Sequence, residues 1–209
     1  VDKLRNLSKA EVGVLEEGLP ELVADGLATR RLRFVVGAAD AGRDAEFVFL
    51  CVPTPEGPDG DADLSAVEAV VRELGPVLRP GAVVVNKSTM PVGSTVQVAR
   101  LLRGAGAVPE VGVAANPEFL REGTAVRDFL QPSRVVIGAD DPTVAVRVSD
   151  LYRDVQAPVL VTSAASAEMI KYASNAFLAT RVSFVNAIAN LCDAVNADVR
   201  EVTLGMGYD

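Results

Sequence analysis

The 209-residue sequence contains no histidine. That absence removes Ser-His-Asp triads, most zinc sites and every dehydrogenase chemistry that uses an imidazole as its acid or base. Nothing else in the sequence points to a metal site. Cysteine is nearly absent as well: Cys51 and Cys192 stand far apart in apolar contexts and read as buried, reduced thiols. Positive charge is in deficit, with 20 Lys and Arg against 28 Asp and Glu, a net charge of -8. That balance argues against a broad nucleic-acid footprint, although a few convergent cations or backbone N–H groups can still hold an anionic ligand. No apolar run is long enough to span a bilayer, and no signal peptide is visible. A soluble cytoplasmic protein with no membrane partner is the expectation.

What is present is apolar and small. Apolar residues make up 49% of the chain, mostly Val, Ala and Leu, while aromatics make up 5%. Such a mixture suits buried parallel strands crossed by Ala-rich helices, in one domain or one domain and part of another. The chain begins at Val1 and stops at Gly207-Tyr208-Asp209, and both ends have the look of cuts.

Strand-like and helix-like runs alternate along the first three quarters. Leu32 to Val36 is a short strand candidate. Glu46 to Val52 is a stronger one, stopped by Pro53-Thr54-Pro55. Asp63-Leu64-Ser65 opens a helix to about Leu78, which Pro80-Gly81 ends. Further strands are read at Ala82 to Val85, Val111 to Ala115, Arg134 to Ile137 and Val159 to Val161. Helices fall between them, from Ser94 or Thr95 to Leu102 and from Pro142 to Asp154. This rhythm predicts an α/β fold, a mostly parallel, doubly wound sheet with helices on both faces.

From about Ala165 the pattern changes. Ala167 to Val195 reads as one helix without Pro or Gly, about 29 residues and roughly 43 Å long. Ile170, Phe177, Phe184 and Leu191 recur every seven residues as an apolar stripe. Lys171, Asn175, Asn186 and Asn190 form a polar stripe beside it. A spine between domains or a subunit interface explains such a length better than one small domain does.

In open α/β sheets ligands bind beyond the carboxyl ends of the strands. Three segments put polar residues there. Pro53-Thr54-Pro55 makes a rigid loop, or an ordinary strand-ending turn. Lys87-Ser88-Thr89 follows a buried strand, ahead of a helix N-terminus that favours anions, or else forms a solvated loop with a helix cap. Asn116-Pro117-Glu118-Phe119-Leu120 reads as a loop; if the segment after Pro117 is helical, Glu118 and Glu122 fall on one face. Two close carboxylates then push one pKa upward for acid/base work, or the segment is a surface turn with a solvated charge. Lys171 and Asn175, taken alone, read as a solvated helix face.

Six motifs taken together resemble the UDP-glucose/GDP-mannose dehydrogenase family. They are FLCVPTP (49–55), GDADLSAV (60–67), NKSTMPVGS (86–94), NPEFLREGTAVRDF (116–129), RVVIGAD (134–140) and SAEMIKYASNAFLATRVSFVNAIANLC (166–192). They occur in the family's order and spacing and cover essentially the whole chain. The NPEFLREG form followed by KYASNAFLAT is closest to the UDP-glucose branch, ahead of the GDP-mannose and UDP-N-acetylmannosamine dehydrogenases.

The resemblance implies an incomplete Rossmann-like NAD-binding domain over residues 1–164. Residues 165–209 then begin a central helical domain that dimerises through the long helix. It implies NAD as cofactor, a UDP-sugar as substrate, and two successive hydride transfers that turn a C6 alcohol into a carboxylate through a cysteine thioester. Thr89 matches the threonine that holds the hydrolytic water, and Glu118 the glutamate that works with it as acid/base. Lys171 matches the lysine that stabilises the C6 oxyanion, and Asn175 its hydrogen-bonding partner. Phe119, Leu120 and Arg121, with Glu118, Lys171 and Asn175, match the sugar-nucleotide side. Thr54, Ser88 and Glu122 match the NAD side.

Two departures stand out. The family's first strand, its G-x-G-x-x-G turn and the acidic residue after it are not here; Val1-Asp2-Lys3-Leu4 resembles the helix that follows that turn. The family's catalytic cysteine and the aspartate that partners it fall beyond Asp209, so neither Cys51 nor Cys192 matches it. In the family's strand order the absent strands stand between Leu32–Val36 and Glu46–Val52. Their absence leaves a gap of roughly 10 to 15 Å, and such a sheet is expected to need the rest of the chain or a partner segment. A non-catalytic dimerising or binding module derived from the enzyme is the alternative of a different class.

Overall fold

A computed structural model describes residues 2–209; Val1, read with the first helical residues, lies outside them. Three short helices come first: α1 (Asp2–Leu7), α2 (Leu19–Ala28) and α3 (Ala38–Gly42). Strand and helix then alternate through β1 (Phe47–Leu50), α4 (Ser65–Leu74), β2 (Val83–Asn86), α5 (Ser94–Gly104) and β3 (Gly112–Ala115). Next come α6 (Ala125–Leu130), β4 (Val135–Gly138), α7 (Pro142–Asp150) and β5 (Val159–Thr162). The chain closes with α8 (Ala164–Val195) and α9 (Val199–Met206). Two compact units result, one running through Met169 and the other covering Ile170–Asp209, so that the division falls inside α8.

In the first unit the strands lie in the order β1-β2-β3-β4-β5. The β1/β2, β2/β3 and β4/β5 pairs are parallel; β3 meets β4 antiparallel, with Ala115 opposite Gly138. The mostly parallel sheet is therefore as expected, with one reversal that the sequence pattern does not display.

Strand alternation explains why the valines are everywhere. Val84 points to one face and packs among Val67, Val71 and Leu74 of α4 and Val98 and Leu102 of α5. Its neighbours Val83 and Val85 point to the other face, among Val144 and Val148 of α7. All three are fully buried, and each such side chain stabilises the fold by about 1.5–3 kcal/mol relative to exposure. Strands covered on both faces need no polar alternation.

Three helices have a local reason to start where they do. The Asp63 carboxylate accepts from Ser65 N, and Asp141 from Thr143 N with Pro142 in the first turn. At α8, Ser163 Oγ accepts from Ser166 N at 3.2 Å. β4 ends at Gly138 because α8 begins directly over it. A Cβ there would lie 2.5 Å from the Ala167 Cβ and 2.8 Å from Ser163 O.

Two expectations fail in this unit. Leu32–Val36 forms no strand: among the described residues no strand runs beside it, and an extended segment without a ladder partner is not a strand. Cys51 is exposed rather than buried. β1 is an edge of the described sheet, and Cys51 follows it on the same face as Phe49, which is also exposed.

The second unit contains the rest of α8 and α9. The turn between them passes through Asn196 in the left-handed region at φ 55° and is closed by Ala197 N donating to Cys192 O. Asp198 then caps α9, accepting from Arg200 N at 2.7 Å. Cys192 is buried. Along α8, Phe177, Phe184 and Leu191 of the predicted stripe are 65%, 51% and 62% exposed. No helix among the described residues is long and apolar enough to cross a membrane.

Candidate functional site

Because β1, β2 and β3 are parallel, the loops that follow them leave the sheet at the same end. The first two are laced together. Lys87 N and Ser88 N both donate to Leu50 O at 3.0 Å, and Ser88 Oγ donates to Val52 O at 2.6 Å. Thr54 Oγ1 donates to Thr89 O at 2.8 Å. Pro53 and Pro55 have no N–H to extend a ladder, so the chain after β1 turns toward these side-chain partners. Thr54, Ser88 and Thr89 are thus brought together, all half-buried.

The helix N-terminus behind Thr89 is not open to an outside anion. Gly93, at φ 98°, turns the chain into α5, and its N–H donates to Glu168 Oε2 at 2.6 Å. Thr95 donates to Glu168 Oε1 twice, from N and from Oγ1, each at 2.7 Å. Asn86 Nδ2 extends the chain to Thr95 Oγ1 at 3.2 Å. The positive end of α5 therefore holds a buried carboxylate of the protein itself.

A second polar cluster lies beside β2. Lys87 Nζ reaches Asn116 Oδ1 at 3.0 Å and Tyr152 OH at 3.4 Å, and Tyr152 OH also donates to Asn116 Oδ1. Asn116 Nδ2 donates to Val136 O at 2.8 Å, which ties the loop after β3 to β4. The ammonium stands 5.9 Å from the Phe129 ring centre and 5.7 Å from that of Tyr152. Burial pushes the Tyr152 phenol up to about 12, with a smaller contribution from Cys51. Desolvation also pushes the Cys51 thiol up, more than the nearby Lys87 charge lowers it.

After β3 the chain runs as a loop, and the helix considered after Pro117 does not form. Residues 117–124 are irregular because their amides go to carboxylates rather than to helical carbonyls. Leu120 N donates to Glu118 Oε2 at 2.6 Å, and Arg121 N to Asp128 Oδ2 at 3.0 Å. Gly123 N and Ala125 N donate to the two oxygens of Glu16 at 2.7 and 2.9 Å. Glu118 and Glu122 consequently share no helix face, and Glu122 is exposed. Arg121 makes a two-pronged contact with Asp128, Nε to Oδ2 at 2.9 Å and Nη2 to Oδ1 at 2.7 Å. This fork holds the Asp128 carboxyl well below the usual carboxylate range. Phe119 stacks under the Arg134 guanidinium at 3.7 Å, and Leu120 is exposed.

Lys171 and Asn175 stand one turn apart on α8 in the second unit; Lys171 is buried and Asn175 exposed. Among the described residues no group of three or more His, Cys, Asp or Glu side chains is arranged to hold a metal ion. Glu16, Tyr152 and Glu168 are site-forming residues that sequence reasoning missed. Their partners lie 107, 36 and 73 residues away, and no local spacing announces them.

Comparison with known proteins gives the same outline. Residues 1–156 match the NAD binding domain of the UDP-glucose/GDP-mannose dehydrogenase family, and residues 165–209 match that family's central domain. A UDP-glucose 6-dehydrogenase of Rhizobium meliloti is 42% identical over 99% of the chain and 49% of its own length. A second, from Pseudomonas aeruginosa, is 42% identical over 100% of the chain and 48% of its own. Among solved structures, a UDP-glucose dehydrogenase from Pyrobaculum islandicum superposes with a TM-score of 0.94 at 40% identity, covering all of this chain and 49% of that one. A GDP-mannose dehydrogenase from Pseudomonas aeruginosa also reaches 0.94, at 35% identity with the same coverage. The chain thus spans about half the length of the relatives it matches.

Proposed function

Because this chain belongs to the UDP-glucose/GDP-mannose dehydrogenase family, we propose that it is the cofactor-binding half of a UDP-glucose 6-dehydrogenase, with residues 165–209 opening the central domain. The observation that carries the reading is the common exit of the loops after β1, β2 and β3, which hold Thr54, Ser88, Thr89 and Glu118 at one end of a parallel sheet. The UDP-glucose substrate rests on what the whole-chain relatives are named.

The residues at that end fit a dinucleotide. Thr54 and Ser88 spend their hydroxyl protons on backbone carbonyls, which leaves oxygen lone pairs to accept from ribose or amide groups. NAD held by Thr54, Ser88 and Glu122 would supply the hydride acceptor, two molecules of it being consumed per sugar oxidised to the carboxylate. Thr89 and Glu118 hold and deprotonate the water that completes the oxidation to a carboxylate. Lys171 supplies a fixed positive charge for the developing C6 oxyanion, and Asn175 a hydrogen bond to the same centre. Phe119, Leu120 and Arg121 line the nucleotide-sugar side, and Glu122 the NAD side.

Within these residues neither cysteine acts as the nucleophile. Neither Cys51 nor the buried Cys192 falls where the family's catalytic cysteine is matched. The chain alone therefore turns over no substrate, and the activity is that of the full-length protein. A second reading, GDP-mannose as substrate, draws on the equal structural match to a GDP-mannose dehydrogenase. The test is NADH production by the purified full-length protein with UDP-glucose, GDP-mannose and UDP-N-acetylmannosamine in turn. Preference for UDP-glucose supports the reading, and preference for GDP-mannose replaces it.

The exposed stripe Phe177, Phe184 and Leu191 supports a homodimer through α8, since faces of this kind are normally covered in a mature assembly.

A further inference from the structure

Glu16 lies between α1 and α2, half-buried, 107 residues before the loop it touches. Its two carboxylate oxygens are spent separately, one on Gly123 N at 2.7 Å and the other on Ala125 N at 2.9 Å. The turn that bears it rests against α6: Gly18, in the left-handed region at φ 80°, has room for a Cβ only as far as Val126 Cγ1, 4.0 Å away. Thr124, at the cap position of α6, makes no side-chain cap; its hydroxyl goes to Asp128 Oδ2 at 3.1 Å. The first turn of α6 is therefore capped from outside, by a charged group that its positive end favours.

This contact acts on a particular loop. Residues 117–124 have no helix or strand to hold their shape, and they carry Glu118 and Arg121. Asp128 takes the Arg121 N–H and guanidinium, Phe119 stacks under Arg134, and Glu16 takes the amides of Gly123 and Ala125. The Asp128 fastening is local and comes from α6 immediately downstream. Glu16 ties the segment's downstream end to a distant part of the chain by paired charge-assisted hydrogen bonds.

We propose that Glu16 is a positioning residue for nucleotide-sugar binding: its bridge between Gly123 and Ala125 fixes the loop that presents Glu118 to Arg121 to the substrate. The proposal rests on the dehydrogenase reading above. A glutamine at this position keeps one acceptor oxygen but sets an NH2 against the second amide, so the bridge is halved; an alanine abolishes it.

The experiment uses the full-length protein as wild type, Glu16→Gln, Glu16→Ala and, as a neighbouring control, Glu17→Gln. KM for UDP-glucose is expected to rise about tenfold in Glu16→Gln and further in Glu16→Ala, with a smaller rise in KM for NAD through the neighbouring Glu122. Hydrogen exchange is expected to quicken over 117–125 and to stay unchanged over 83–104. Glu17→Gln should match wild type. Unchanged exchange over 117–125 overturns the proposal, as does exchange that quickens equally over 83–104, which would mark general damage. A wild-type protein that oxidises no nucleotide sugar refutes the dehydrogenase reading instead, and the exchange measurement then still decides whether Glu16 orders the loop.

Discussion

Glu168 accepts two hydrogen bonds from Thr95, one from its backbone N–H and one from its hydroxyl, each at 2.7 Å. A third comes from Gly93 N, so one buried carboxylate closes the N-terminus of α5 and fixes the loop that bears Thr89. Helix-end amides favour the negative charge there.

Glu168→Ala leaves two backbone amides and a hydroxyl without their acceptor in a buried place. A loss of about 2–3 kcal/mol is expected, read as a lower urea midpoint for the full-length protein. A midpoint equal to wild type would mean that water replaces the carboxylate at no cost.

Tyr152 gives a pH dependence of definite sign. Its phenol is pushed up to about 12, above the ordinary value near 10 that the unfolded chain has. A raised folded-state pKa contributes stability in full below about pH 10, and that contribution is lost as pH rises through about 12. Of the three tyrosines, one is expected to ionise only near pH 12 in an absorbance titration, and Tyr152→Phe should delete that step. A Phe variant that keeps the late step would assign it elsewhere.

Lys171→Ala should lower kcat by ~10²–10³ while KM for UDP-glucose moves only a few-fold, because an oxyanion develops mainly in the transition state. Steady-state kinetics of the full-length variant decide this. Turnover within a few-fold of wild type would make Lys171 a structural residue.

Phe184→Glu places a charge on the exposed stripe of α8. Sedimentation at micromolar concentration should show the wild-type protein as a dimer and the variant as a monomer. A wild-type monomer would show that the stripe is covered in another way.

Valine-rich strands were legible because both faces of the sheet are dry: Val83, Val84 and Val85 need no alternation, and their sequence shows none. Leu32–Val36 carries the same composition, but a strand also needs a neighbour, and composition says nothing about neighbours. Glu118 and Glu122 have helical spacing, yet the amides of a helix there are captured by Glu16 and Asp128. The loops with Thr54, Ser88 and Thr89 could be found from their motifs. The carboxylates that hold the loop ends could not, because a hydrogen bond across 107 or 73 residues leaves no periodic trace. Exposure of Cys51 likewise depends on its lying just past an edge strand, which the apolar run around it conceals.

The most direct measurement is the stoichiometry of NADH formed per UDP-glucose consumed by the full-length protein, with the sugar product identified by its mass. Carrying a C6 alcohol to a carboxylate takes two hydride transfers and one water, so two NADH per UDP-glucose and a uronate product are expected. One NADH with an aldehyde product, or no NADH from any nucleotide sugar, would contradict the assignment.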